Sequence, residues 1–106
     1  MREEDILCVS THYEKKYWLN PRFEKLPKTV QDELKILCVL FTEEVGGELI
    51  LHFEEGKLML TPRHRESDFY YDPIGAGLKI KSMQTDRQEL FEQLEMYHYA
   101  LEELGR

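Results

Sequence analysis

The sequence of 106 residues lacks the features that mark several large classes of protein. Its two cysteines, Cys8 and Cys38, each lie inside an apolar run, which excludes a disulfide scaffold and a cysteine-rich zinc site. The longest uninterrupted apolar run, Ile36 to Phe41, is far shorter than the roughly 20 residues that a membrane-spanning helix needs. A formal net charge of −7 disfavours nucleic-acid binding, because such binding needs a basic face that contacts phosphates.

A secretory signal is also missing from the first residues. They read MREEDILCV, in which acidic side chains and a short apolar run do not fit a signal peptide, and we therefore expect a cytoplasmic protein with reduced cysteines. A hydrophobic content of 42% with 11% aromatic residues indicates a folded chain. We expect a single α+β domain over residues 1–106, because this length suffices for one core but not for two.

The most informative segment, residues 28–45, predicts one long helix that is apolar on two sides. One side is a stripe suited to a core and consists of Val30, Leu34, Leu37, Cys38, Phe41 and Val45. The nearly opposite side carries Ile36, Val39 and Leu40, bordered by acidic residues. Leaving these three side chains in water would forgo on the order of 5 kcal/mol of burial free energy. We therefore predict an interface there, either with residues 13–23 or the terminal helix of the same chain, or with a second copy in a homodimer.

From Glu48 the apolar residues alternate, which predicts a β-hairpin over residues 48–62. A two-residue turn at Glu55 and Gly56 would place Phe53 opposite Leu58 and keep one face apolar, but it requires a positive φ at Glu55. A three-residue turn with a bulge avoids that strain and mixes the two faces. We expect the first register, or a local bulge that restores it, because a one-residue slip would expose a whole apolar face.

The remaining segments predict further strands and helices. Alternating and aromatic residues predict strands at 69–71 and 78–81, joined by a turn-rich connection at 72–77. Capping-box sequences predict a C-terminal helix over 85–104 and a short helix over 12–18. The last of these segments also fits a strand.

No motif in the sequence indicates a known chemistry. The pair Gly75 and Gly77 lacks the other residues of a phosphate-binding loop. The histidines are dispersed, so we predict no metal site, no cofactor and no catalytic residue; they are His12, His52, His64 and His98. Cys38 lies on the core stripe, where a thiol is buried and unreactive. These features favour a binding protein over an enzyme.

One alternative site is a groove for a small molecule. It would form between the aromatic residues Trp18, Tyr70 and Tyr71 and the loop that holds Gly75 and Gly77. A small-molecule binder or an enzyme that uses this groove is therefore an alternative to an interaction module, although packing in a core or an interface explains the same aromatic residues.

Three blocks of the sequence resemble a known family. They are residues 32–47 (DELKILCVLFTEEVGG), residues 72–78 (DPIGAGL) and the upstream residues 13–27. Together they are similar to a family of small bacterial proteins of unknown function, and the resemblance covers most of the chain. It implies a cytoplasmic bacterial protein and supplies no activity, ligand or catalytic residue.

We therefore expect an α+β fold in which a long helix (28–45) and a C-terminal helix (85–104) pack on a small, mostly antiparallel sheet of three or four strands. The leading function is a non-catalytic binding or interaction module that acts as a homodimer. Small acidic proteins with this order of elements also look like the dimeric secretion chaperones, which hold partner segments on their sheets. That likeness gives a partner-binding alternative, with neither nucleic acid nor a membrane as the partner.

Overall fold

The computed structural model describes residues 1–105, which form a four-stranded sheet and three helices. The strands are β1 (Ile6–Thr11), β2 (Lys16–Leu19), β3 (Glu48–Glu54) and β4 (Lys57–Arg63), and the helices are α1 (Lys28–Val45), α2 (Pro73–Asp86) and α3 (Gln88–Leu104). Single 3-10 turns occur at Glu3–Asp5 and Pro21–Phe23. Within the described residues, no helix is long and apolar enough to cross a membrane.

The sheet is antiparallel throughout, with the strand order β2-β1-β3-β4. The helix α1 packs on the first three strands, α3 packs on β4, and α2 packs against both helices. The predicted α+β fold is therefore confirmed, including the long helix and the C-terminal helix. Both helices that touch the sheet lie on the same face, because the alternating side chains of Cys8, Ser10 and Phe53 point to α1 or α3.

The predicted β-hairpin is confirmed in its two-residue register. Phe53 lies opposite Leu58 and Leu51 opposite Leu60, so the apolar residues of both strands share the face that the helices cover. Glu55 adopts a φ of 50°, a left-handed conformation that costs a non-glycine residue about 1–2 kcal/mol. Burial of several leucine and phenylalanine side chains on one face exceeds that cost.

The predicted short helix over 12–18 is wrong, and the alternative of a strand is correct for its second half. Residues 12–15 form the turn between β1 and β2, and Lys15 has a φ of 52°. The strand β2 pairs with β1, with Trp18 opposite Val9. Hydrogen bonds and side-chain contacts with the neighbouring strand β1 outweigh a local capping signal in a segment this short.

The predicted strands at 69–71 and 78–81 are also wrong. Residues 69–71 belong to an irregular connection, and 78–81 lie inside α2, which also absorbs the predicted turn at 72–77. Asp72 caps this helix by accepting a hydrogen bond from the Gly75 amide at 2.9 Å, and Pro73 occupies its first turn, where a missing N–H costs nothing. The side chains of α2 that pack against the core are Ala76, Ile80 and Met83, which have helical spacing. The two glycines and the short alternation in Leu78–Lys81 made this spacing hard to recognise in the sequence.

The C-terminal helix is confirmed, with a later start than predicted. Its capping box does not form, because α2 continues to Asp86 and the Thr85 hydroxyl donates to the Lys81 carbonyl inside α2. The helix α3 then begins at Gln88 without a side-chain cap.

The core lies between the sheet and the helices and includes both cysteines. Cys8 and Cys38 are free and fully buried, with their Sγ atoms 3.8 Å apart. The contact with Cys8, together with burial, raises the pKa of the Cys38 thiol. The neighbouring Ser10 and Thr42 satisfy each other through a buried hydrogen bond of 2.9 Å. The expectation that Cys38 fills the core is therefore confirmed.

Candidate functional site: exposed apolar surfaces

The second apolar group of α1, which we call the outer patch (Ile36, Val39 and Leu40), remains open to solvent. The side chains of Ile36 and Leu40 are 58% and 46% exposed. The β1–β2 turn and β2 approach only Val39, which lines a cleft together with Lys16. The terminal helix α3 packs elsewhere, on β4 and α2. Within residues 1–105, neither of the two segments considered as a cover from the same chain shields Ile36 and Leu40.

Two charges border the outer patch without a partner. Four of the six charged residues in α1 form ion pairs within the chain, which are Lys28 with Asp32, Glu33 with Arg87 and Glu44 with Lys79. The other two, Lys35 and Glu43, have no ion-pair partner in the part of the chain that the structure describes. At 100° per residue, both lie on the same side of the helix as Val39. The outer patch is therefore an apolar centre with one free charge of each sign at its two ends.

A second uncovered surface is the face of the sheet opposite the helices, which we call the open face. One row of directly paired residues crosses all four strands and consists of Trp18, Val9, Ile50 and Thr61. Trp18 is 40% exposed, whereas the more central Ile50 is buried by its neighbours. His52 lies on the same face and bonds Thr61 at 2.6 Å, and burial lowers the pKa of its imidazole. The middle of the open face is therefore apolar and favours an uncharged His52.

The connection between β4 and α2 presents two aromatic side chains to solvent. Phe69 and Tyr70 are 89% and 98% exposed. Asp68 fixes this connection, because its carboxylate accepts hydrogen bonds from the Tyr70 and Tyr71 amides and from the Tyr13 hydroxyl, the last at 2.6 Å. The bond from Tyr13 lowers the pKa of the Asp68 carboxyl, and desolvation followed by the Asp68 contact raises the pKa of the Tyr13 hydroxyl.

The structure does not assemble the predicted small-molecule groove. Trp18 lies on the open face at the edge strand β2, whereas Tyr71 stacks on His64 beside the other edge strand, with ring centroids 4.3 Å apart. Tyr70 points into solvent. Gly75 and Gly77 lie in the first turns of α2, so the loop that would have closed the groove is helical.

A cleft of about 390 Å³ lies instead between α1 and the β1–β2 hairpin. Its lining includes three lysines, Lys15, Lys16 and Lys35, together with the hydroxyl groups of Ser10 and Thr42. Those two hydroxyls bond each other at 2.9 Å. Val39, Lys35 and Glu43 belong both to this cleft and to the outer patch or its borders, so the two features are continuous.

One cluster of titratable residues was missed at the sequence level. His98 of α3 lies beside Asp5 and Glu102, with His98 Nε2 at 3.5 Å and 3.4 Å from their carboxylate oxygens. The spacing of His98 and Glu102, four residues apart on a predicted helix, could have indicated half of it. Asp5 comes from the opposite end of the chain, and no sequence pattern predicts that contact.

The fold and these surfaces define a small two-layer α+β protein with apolar surface left uncovered on α1 and on the sheet. The chain belongs to a family of unknown function, DUF6145, which it matches over residues 4–104. The match confirms the resemblance to a family without an assigned activity. No curated protein and no solved structure is detectably similar to the chain.

Proposed function

We propose that this protein is a non-catalytic interaction module that forms a homodimer through α1. The observation that supports this most is the outer patch, in which Ile36 and Leu40 are exposed beside two opposite charges that have no ion-pair partner within residues 1–105. A monomer gains nothing from exposed isoleucine and leucine side chains at the centre of a helix. A second copy of α1 would cover them.

The charges favour an antiparallel, two-fold arrangement of the two helices. With the symmetry axis near Val39, Lys35 of one chain lies opposite Glu43 of the other, and the reverse pair forms at the other end. Ile36 of one chain then lies within one helical turn of Leu40 of the other. The same arrangement therefore covers the apolar centre and pairs both free charges.

The proposed interface is small, and we therefore expect the dimer to be weak. A stable interface usually buries about 800 Å² on each partner. The outer patch occupies only the middle turns of one helix, so we expect a dissociation constant in the micromolar range, about 1–100 µM.

Charge exchange tests the proposed arrangement. Lys35→Glu should weaken the dimer because it places two glutamates opposite each other at both ends, and Glu43→Lys should weaken it in the same way. The double variant K35E/E43K restores both pairs with exchanged signs and should recover the wild-type dissociation constant. Each of the two ion pairs is worth about 0.2–1 kcal/mol. Each single variant should therefore raise the dissociation constant measured by sedimentation velocity by about twofold to thirtyfold.

The matched control is Lys81→Glu, which changes the net charge equally on the exposed side of α2. It should leave the dissociation constant unchanged at moderate salt. If the double variant associates more weakly than both single variants, the antiparallel pairing is wrong.

The open face supports a second candidate function, the binding of a partner segment. Its apolar residues Trp18, Val9 and Ile50 span three of the four strands, and no helix of the described chain packs on them. Trp18, the single tryptophan, reports on this surface directly. Iodide quenching of its fluorescence should not change as the protein dimerises, because the proposed dimer uses α1. Quenching that falls with protein concentration would place the dimer interface on the sheet instead.

A partner that binds the open face should be recovered by wild-type protein from an extract of the source cells and lost with Trp18→Lys. The variant Ile36→Asp should still recover it, since that substitution lies on the outer patch. We also propose a cytoplasmic location, which two unpaired, buried cysteines and the family resemblance support.

A further inference from the structure

The cluster around His98 joins the two ends of the chain. His98 and Glu102 are one turn apart on α3, and Asp5 lies at the end of the first 3-10 turn. One ligand atom from each of the three residues lies within 4.8 Å of the other two. The imidazole is fixed by stacking on Phe53, with the ring centroids 4.1 Å apart.

His98 is a buried polar side chain without a hydrogen-bond partner at one nitrogen. The residue is only 7% exposed, and Nε2 is fully buried without a hydrogen bond that satisfies normal geometry. Its distances to the two carboxylate oxygens, 3.5 Å and 3.4 Å, exceed the 2.7–3.2 Å of ordinary N–H···O bonds. His98 Nε2 is therefore a buried polar atom between two carboxylates that has no hydrogen bond, which is unusual in a folded protein.

The same distances match the spacing of ligands around a small metal ion. Metal–ligand distances of about 2.0–2.2 Å in a tetrahedral site place neighbouring ligand atoms about 3.3–3.6 Å apart. Both distances from His98 Nε2 fall in this range. Glu102 is the most exposed of the three, so the cluster opens to solvent on its side.

We infer that Asp5, His98 and Glu102 form a binding site for a divalent transition metal ion, with Zn²⁺ as the best match. One imidazole and two carboxylates suit zinc and its neighbours better than Ca²⁺ or Mg²⁺, which prefer oxygen ligands alone. Three protein ligands leave a position for water. The ion would tie the start of the chain to α3, so its binding should also stabilise the fold.

Two arginines border the site and limit its affinity. Arg2 Nη2 contacts Asp5 Oδ1 at 3.3 Å and Arg2 Nε contacts Asp5 Oδ2 at 3.0 Å, while Arg22 Nη1 contacts Glu102 Oε1 at 3.2 Å. Each oxygen has a second lone pair, so a metal ion and an arginine can share a carboxylate. Their positive charges nevertheless oppose a cation. Removal of Arg22 should therefore tighten metal binding, although it removes an ion pair from the fold.

The test is titration of the untagged full chain with Zn²⁺ by calorimetry, with Co²⁺ absorption as a second readout of coordination. We expect one ion per chain and a rise in the melting temperature. Glu102→Gln keeps the size of a partly exposed side chain and should weaken binding at least about tenfold, as should His98→Gln. Arg22→Ala should tighten it severalfold.

The matched controls are Glu92→Gln, an exposed glutamate of the same helix, and His12→Gln, an exposed histidine, and both should bind zinc as the wild type does. The inference is overturned if the wild-type chain shows no stoichiometric binding. It is equally overturned if Glu102→Gln, which should fold normally, binds as tightly as the wild type, or if His12→Gln abolishes binding. None of these three results would bear on the dimer, because α1 contributes no residue to the cluster.

Discussion

Gly47 lies at a junction where neighbouring backbone and side-chain atoms leave no room for a side chain. It has a φ of 67°, and a Cβ atom there would collide with the Arg63 carbonyl oxygen and lie 2.9 Å from the Tyr71 ring. Two neighbouring contacts hold the same junction, because the His12 amide donates to the Gly47 carbonyl and the Asp72 amide donates to the Val45 carbonyl. The sequence placed this glycine after the long helix, but only the structure shows that the close approach of β4 and Tyr71 requires it.

Gly47→Ala should therefore destabilise the protein by roughly 1–3 kcal/mol, because both the positive φ and the collision oppose a side chain. The matched control is Gly77→Ala, inside α2, where a Cβ atom would meet nothing within 4 Å. That substitution should stabilise the protein by about 0.5–1 kcal/mol through the higher helix propensity of alanine. Urea unfolding of both variants measures the two effects, and equal losses of stability would contradict this account of Gly47.

The contact between Tyr13 and Asp68 should make stability depend on pH in one direction. The pKa of Asp68 is lower in the folded protein, chiefly through the hydrogen bond from Tyr13, than the value near 3.9 of an unfolded chain. Its contribution is therefore complete above that pH and is lost as the pH falls through the lower, folded pKa. Tyr13→Phe should be less stable than the wild type at pH 7, and the difference should shrink towards pH 3.

The difference should not vanish there, since the Arg65 amide also donates to the Tyr13 hydroxyl. Tyr70→Phe is the control, because the ring is 98% exposed and the structure gives its hydroxyl no partner among residues 1–105. Urea midpoints at several pH values provide the measurement. A stability difference that is constant between pH 7 and pH 3 would show that Asp68 does not contribute.

At the scale of elements, segments with one clear period were predicted correctly and segments with two competing signals were not. The long helix has a full apolar stripe and two terminal glycines, and the hairpin alternates over both strands. The sequence of α2 contains two glycines and only a short stretch of alternating apolar residues. The same segment therefore carries features typical of a turn, of a strand and of a helix. What decides between them is the packing of Ala76, Ile80 and Met83 against the other helices, which the local sequence does not contain.

The start of α2 depends on Asp72, because its carboxylate accepts a hydrogen bond from the Gly75 amide. Without that bond, this N–H group would have no partner within the helix. Asp72→Ala should cost about 0.5–2 kcal/mol of stability, the usual loss for an N-cap. Asp72→Asn retains the accepting oxygen and should lose much less. The free energy of unfolding from urea titration distinguishes the two, and equal losses would mean that the cap does not form.

At the scale of the whole molecule, the two sides of α1 explain both the fold and the proposed function. The sequence predicted which side faces the core and identified the outer patch, and the structure shows that residues 1–105 leave its Ile36 and Leu40 exposed. The predicted groove failed because it needed contacts between Trp18, on one edge strand, and residues beyond the other. The cluster of His98 and Asp5 could not be predicted either, because the two residues come from opposite ends of the chain and only the tertiary fold brings them together.

The dimer through α1 is tested most directly by the mass of the wild-type chain in sedimentation equilibrium, compared with Ile36→Asp. The wild type should approach twice 12.7 kDa as its concentration rises towards about 100 µM. Ile36→Asp, a substitution at an exposed position, should fold and remain near 12.7 kDa over the same range. A wild-type chain that stays near 12.7 kDa at the highest concentration would contradict the proposal, and so would a folded Ile36→Asp variant that dimerises like the wild type.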